Sequence, residues 1–265
     1  MNIYRRELKA HRKSLIIWSV SMALLVAGGM GKYSAGMGAG AGGFNEMMDK
    51  MPQSLQKLFG VGVFDLSNVL DYFGVLFIYL ALMAAIHATM LGAGIISKEE
   101  RDKTAEFLMV KPISRANIIT SKMFAAGTIV LVFNVATSVS SYAMLSYYAN
   151  GTLFSDGLWK LMASLLAIQM LFLAVGSFFA AVISKPKLSS AAATGVLLFM
   201  FMLSVVVDLS EKLAPLRYIT VFKYFDAKDI LIEGYEAAYP ILSILLLTVC
   251  IYSTYHFYRK RDLKI

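Results

Sequence analysis

The chain has 265 residues, of which 58% are hydrophobic and only 16% charged, and its mean hydropathy is +0.65. A soluble domain carries roughly 25% charged residues, so this apolar surplus has to face lipid. The net charge of +8 would suit nucleic acid only if the basic residues shared one solvated face; here they flank long apolar runs, which excludes that partner.

A helix needs about 20 apolar residues to cross hydrocarbon, and one Asp, Lys or Arg at its centre costs roughly 2.5–3.5 kcal/mol. Six charge-free windows are long enough: Lys13 to Lys32, Asp71 to Lys98, Lys122 to Asp156, Lys160 to Lys185, Lys187 to Asp208, and Glu236 to Arg259. They predict an all-α membrane protein, one transmembrane domain over residues 1–265, with spans near 14–31, 72–96, 124–147, 161–183, 189–207 and 239–258.

Ahead of the first span, Ile3, Tyr4 and Leu8 share one helical face and Arg5, Arg6, Lys9 and Arg12 take the other. This pattern predicts a short interfacial helix on the membrane surface, with a solvated basic tail as the alternative. A basic start before an apolar run also describes a secretory signal peptide, but this run exceeds the usual 7 to 15 residues. Beyond the span come Gly36, Gly38, Gly40, Gly42 and Gly43, then Met51-Pro52 and the helically spaced Leu55, Leu58 and Phe59, ended by Gly60. We read these as a flexible lead into an interfacial helix. Gly31-Lys32 is not a phosphate loop, because Val26 and Tyr33 stand where that loop needs glycine and serine or threonine.

Within the spans, His87, Asn134 and Gln169 are candidate intramembrane polar sites, each suited to hydrogen bonding a neighbouring helix. Small residues recur four apart at Ala88 and Gly92, Gly176 and Ala180, and Ala191 and Gly195, the spacing of close helix packing. His11, His87 and His256 are widely separated and lack metal-ligand spacing, and the single Cys250 allows no intrachain disulfide. No metal and no cofactor is expected in this chain.

Between the second and third spans, residues 97–122 hold the densest charge. Glu99 to Val110 reads as a short helix with Thr104, Phe107 and Leu108 on its apolar face. Pro112 stops it, and Ser114 is placed to cap the next helix, which runs through Lys122 into the membrane. Tyr147 and Tyr148 serve as interface anchors before an Asn150-Gly151 turn. Between the fifth and sixth spans, Ile219, Phe222 and Phe225 share a face, and Asp226 and Gly234 suit the start and stop of a further short helix. Together with the Met51-Pro52 segment, these short extracellular helices are expected to cap the bundle.

Orientation follows from Lys and Arg. Alternating spans put seventeen of the 25 on one side, in the N-terminus, the 97–122 connection, Lys185 and Lys187, and the C-terminus. Both termini are therefore expected in the cytoplasm.

The 97–122 connection resembles the first cytoplasmic loop of the membrane subunits of type 2 ATP-binding-cassette (ABC) exporters. Glu100, Thr104, Glu106, Leu108, Pro112, Ile113, Ser114, Arg115 and Lys122 fit the pattern, while Lys103 stands where glycine is common. Supporting pieces are the basic start ending in Ser14-Leu-Ile-Ile-Trp18, the six spans, Met51-Pro52, and the Leu213-to-Phe225 segment. The resemblance implies a permease subunit in the cell membrane, non-catalytic itself, working as an exporter. It implies a coupling helix that contacts a separate ABC ATPase subunit through Glu100, Thr104, Glu106, Phe107, Leu108, Pro112 and Arg115. ATP and magnesium would be bound on that ATPase, and a second permease, identical or related, would complete the assembly. A six-helix secondary transporter or channel is the alternative, but it needs ionisable residues in its spans, and these have almost none. A membrane-embedded enzyme needs paired catalytic residues, and none is evident.

Overall fold

The computed structural model describes residues 3–38, 64–104, 113–149, 154–209 and 211–260. Among them lie α1 (Ile3–Gly38), α2 (Val69–Arg101), α3 (Arg115–Tyr148), α4 (Ser155–Val182) and α5 (Pro186–Leu209). A 3-10 helix (Glu211–Tyr218), α6 (Val221–Tyr224), α7 (Ala227–Ile232) and α8 (Ala238–Lys260) follow. Six of these, α1 to α5 and α8, are long and apolar enough to cross a membrane. Five of them contain their predicted span and extend past it at both ends, and α4 starts before its span but stops at Val182, one residue short of it; hydrophobicity marks the hydrocarbon depth, whereas the backbone stays helical until a cap or turn ends it. The Met51-Pro52 segment and the Asn150-Gly151 turn lie outside the described residues.

The chain passes back and forth so that both termini reach one end of the bundle. Arg115 at the start of α3 donates to the carbonyl of Arg259 near the end of α8, at 3.3 Å, and Glu7 of α1 meets Lys98 of α2 at 2.9 Å. This end is called basal below, and the other distal.

The most enclosed helix is α4, and its closest partner is α2. A Cβ placed on Gly92 would lie 2.3 Å from the carbonyl oxygen of Leu173, and one on Gly176 would lie 2.4 Å from that of Thr89. Ala88 and Ala180 beside them are fully buried. Two of the predicted small-residue pairs thus form one interface, in which the helix backbones approach until a methyl group no longer fits. The third pair behaves differently: Ala191 is exposed and nothing lies within 4 Å of a Cβ on Gly195, so it packs against nothing among the described residues.

Two expectations are corrected. No break separates the amphipathic start from the first span; α1 is one helix from Ile3, and it continues through Gly36 and Gly38. Its first turns lie along α3, with Ile3 packed on Ile118 and the Tyr4 hydroxyl 3.1 Å from Thr128 Oγ1. The expected surface helix is held against the bundle because Glu7, wholly buried, finds its charge partners there.

The segment before α8 also does more than cover the bundle. Asp226 caps α7 and Gly234 ends it at φ +85°, as the sequence suggested. Thr220, however, donates to the carbonyl of Met200 at 2.8 Å, nine residues inside α5, and the Phe222 ring sits 5.2 Å from Phe172 and 5.4 Å from Phe201. The segment is a wedge between α4 and α5. Val221, Phe222, Tyr224 and Phe225 are all buried, which is the condition on which irregular backbone is tolerated at membrane depth.

The tight crossing makes a direct test. Gly92→Leu or Gly176→Leu drives carbon into a carbonyl oxygen and should cost at least the 1–3 kcal/mol typical of overpacking. Gly195→Leu should be tolerated. Thermal melting of detergent-solubilised variants, followed by size-exclusion chromatography, should separate the first two from the third.

Candidate functional site

The basal end gathers five charged side chains from three helices. The last turns of α2 supply Lys98 and Glu99, the second turn of α3 supplies Lys122, and the second turn of α1 supplies Arg6 and Glu7. Lys122 is wholly buried; its ammonium donates to Glu99 and, at 2.5 Å, to the carbonyl of Ile95. Arg6 donates to Glu99 at 2.7 Å and to Glu7 at 2.7 Å, and Lys98 reaches the other Glu7 oxygen at 2.9 Å. His11 Nδ1 lies 3.0 Å from the Glu7 carbonyl.

Three cations therefore meet two carboxylates in a largely water-excluded cluster. A buried charge costs several kcal/mol unless it is paired and hydrogen-bonded, so these helices have little freedom to separate while the pairs persist. The geometry matters because Glu99 and Lys122 stand at the two feet of the 97–122 connection. Their contact closes that connection at its base, and Arg6 and Glu7 bind α1 to the same point.

The connection begins with a defined turn. The amide of Lys103 donates to Glu100 O at 3.4 Å and that of Thr104 to Glu99 O at 2.8 Å, the paired pattern of a Schellman cap, with Lys103 at φ +55°. The single helix expected from Glu99 to Val110 is thus interrupted: Glu99 to Arg101 finish α2, and residues 102–104 turn away from it. Lys103 occupies the left-handed position, which explains why the resembled pattern favours glycine there, since a side chain costs about 1–2 kcal/mol in that conformation. At the far foot, Ser114 Oγ accepts from the Asn117 amide at 3.2 Å and caps α3 as expected.

Of the residues singled out in the connection, Glu100 and Thr104 fall in this cap and Arg115 opens α3. Glu106, Phe107, Leu108 and Pro112 lie outside the described residues. Sequence reasoning missed the roles of Glu7, Lys98, Glu99 and Lys122, because charge at the edge of an apolar window reads as solvated. One signal was available: Glu7 is the one acid among Arg5, Arg6, Lys9, Arg12 and Lys13.

Deeper in the bundle, Asn134 Nδ2 donates to the Met162 carbonyl at 3.2 Å and joins α3 to α4. His87 and Gln169 do not follow that pattern. The His87 ring lies between Trp18 at 5.3 Å and Phe133 at 4.5 Å with Nδ1 unpartnered, and neither amide atom of Gln169 has a hydrogen-bond partner among the described residues. No cluster of three or more His, Cys, Asp or Glu able to hold a metal occurs among the described residues.

A second ion cluster sits at the distal end. Lys223 of α6 pairs with Asp208 of α5 at 2.5 Å and with Asp226, the cap of α7. Burial alone would lower the lysine pKa, but the two carboxylates outweigh it and hold the ammonium above its ordinary range. It fastens the wedge to the end of α5.

Compared with known families, residues 1–263 match the model described as ABC-2 family transporter protein. The comparison with curated proteins finds no match.

The basal cluster predicts an asymmetry between its partners. Glu99→Gln leaves the buried Lys122 ammonium without a carboxylate and should destabilise by about 3–5 kcal/mol. Lys122→Met should cost less, since two cations and two carboxylates remain balanced. Adding Lys122→Met to Glu99→Gln should restore much of the lost stability. Melting curves of the three variants test the order; a double variant worse than Glu99→Gln alone would refute the pairing.

Proposed function

The chain belongs to the ABC-2 transporter family, and from that premise we propose that it is the membrane-spanning permease of an ABC exporter, driven by ATP hydrolysis on a separate ATPase subunit. The match over nearly the whole chain carries this reading, and it is supported by a basal end built as a lever. The 97–122 connection is the coupling segment, gripped by the ATPase through Glu100, Thr104, Glu106, Phe107, Leu108, Pro112 and Arg115. Its feet are Glu99 and Lys122, which are bonded to each other and through Arg6 to α1. A push on the segment therefore moves α1, α2 and α3 together rather than bending one helix end.

In this assembly ATP and magnesium bind on the ATPase, and this chain contributes no catalytic residue. A second permease subunit, identical or related, faces the first, with the cargo path between them. The basal end lies in the cytoplasm of a cell membrane, as the excess of Lys and Arg there favours. A six-helix secondary transporter remains the competing function. The ionised groups here are gathered at the bundle's ends, whereas ion coupling needs them at mid-membrane.

Phe107→Ala removes a large apolar side chain from the proposed grip, and Glu106→Lys reverses a charge in it. Each should weaken co-purification of the ATPase by at least about tenfold, the factor for losing one interface anchor. Neither should change the thermal stability of the permease alone. Unaltered ATPase association and export in both variants would contradict the coupling role.

A further inference from the structure

Toward the distal end, the seam of α1 and α2 is bridged by the Tyr33 hydroxyl on the Ser67 carbonyl at 2.7 Å, and beside it lies a cavity of about 550 Å³. Its α1 wall is the stripe Leu24, Leu25, Gly28, Gly29 and Lys32, and its α2 wall includes Tyr72, Leu76 and Tyr79. Two glycines shape the space in opposite ways. Nothing lies within 4 Å of a Cβ on Gly28, while Gly29 lets Leu76 close in and exposes its carbonyl to the Tyr72 hydroxyl at 3.1 Å.

We propose that this slot holds one acyl chain of a negatively charged phospholipid from the distal leaflet, with its phosphate on Lys32. The dimensions suit that occupant. From Leu24 to Lys32 the wall runs about 12 Å at 1.5 Å per residue, close to the roughly 15 Å of hydrocarbon in one leaflet. The lining is mostly apolar, so water gains few hydrogen bonds by filling it, whereas a hydrocarbon chain restores the lost dispersion contacts.

Charge selects the headgroup. Lys32 is exposed at the distal mouth and pairs with no carboxylate among the described residues. Two acids lie at and just before the start of α2, but Asp71 accepts from the Asp65 amide at 3.0 Å, Asp65 accepts from the Ser67 amide at 3.0 Å, and neither lines the slot. An interfacial lysine favours an anionic lipid by about fivefold. The proposal rests on the membrane placement of α1 and α2 and is independent of any coupling to an ATPase.

The test is native mass spectrometry of the full chain released from vesicles of equal parts phosphatidylcholine and phosphatidylglycerol. Wild type should retain one phosphatidylglycerol per chain, enriched about fivefold over phosphatidylcholine. Lys32→Glu should abolish the enrichment at unchanged melting temperature, and Lys32→Arg should keep it. Gly28→Trp, built into open space, should fill the slot and eject both lipids. Equal retention of the two lipids by wild type and Lys32→Glu would mean unselective surrounding lipid and overturn the proposal. So would a Gly28→Trp chain that loses its dimer mass while no variant ever carries lipid, since the slot would then be the seat of a second copy.

Discussion

Hydrocarbon offers no partner to an ion, so every charge near the bundle's interior must bring its own. That constraint organises the basal end. Lys122 is enclosed and depends on Glu99; Glu99 also takes Arg6; Arg6 and Lys98 share Glu7. Three helices distant in sequence are fastened where the most densely charged connection of the first three spans, residues 97–122, enters and leaves. Apolar side chains of equal volume would hold the helices as well or better, so ionic contacts are weak evidence for stability as such. What they add is direction: charge pairs fix which turn of α1 meets which turn of α2 and α3.

The rest of the bundle follows from how close helices can come. Between α2 and α4 the glycines at 92 and 176 bring backbone against backbone, and this crossing forms the inflexible centre. On the other side α1 lies chiefly along α3, and a groove remains beside its seam with α2 toward the distal end. Behind the crossing, α4 and α5 diverge enough to admit the wedge of Thr220 to Phe225, where the Thr220 hydroxyl donates to the Met200 carbonyl and the Lys223 amide donates to the carbonyl of Thr220.

Spans, caps and terminators are short-range properties, and they were legible. Length without charge located all six spanning helices, Ser114 marked the cap of α3, and Asp226 and Gly234 marked the start and stop of α7. Lys103 hid the Schellman turn because a lysine in the left-handed region carries no sequence signal, whereas glycine would have announced it. Two of the three small-residue pairs pack as their spacing suggested; Ala191 and Gly195 share that spacing and face outward, since spacing alone does not say which neighbour is present.

The amino-acid sequence by itself determined that this is a six-helix membrane chain, because the cost of an ion in hydrocarbon is set residue by residue and needs no knowledge of the fold. It also carried the family pattern of the 97–122 connection. Only the tertiary structure decided that Glu7, Glu99 and Lys122 are enclosed partners rather than solvated edge charges, that the Thr220-to-Phe225 segment enters the bundle while Ile219 stays exposed, and that a groove beside Gly28 follows the α1–α2 seam. Those outcomes depend on which helix faces lie opposite one another, and that pairing is a property of packing between distant segments.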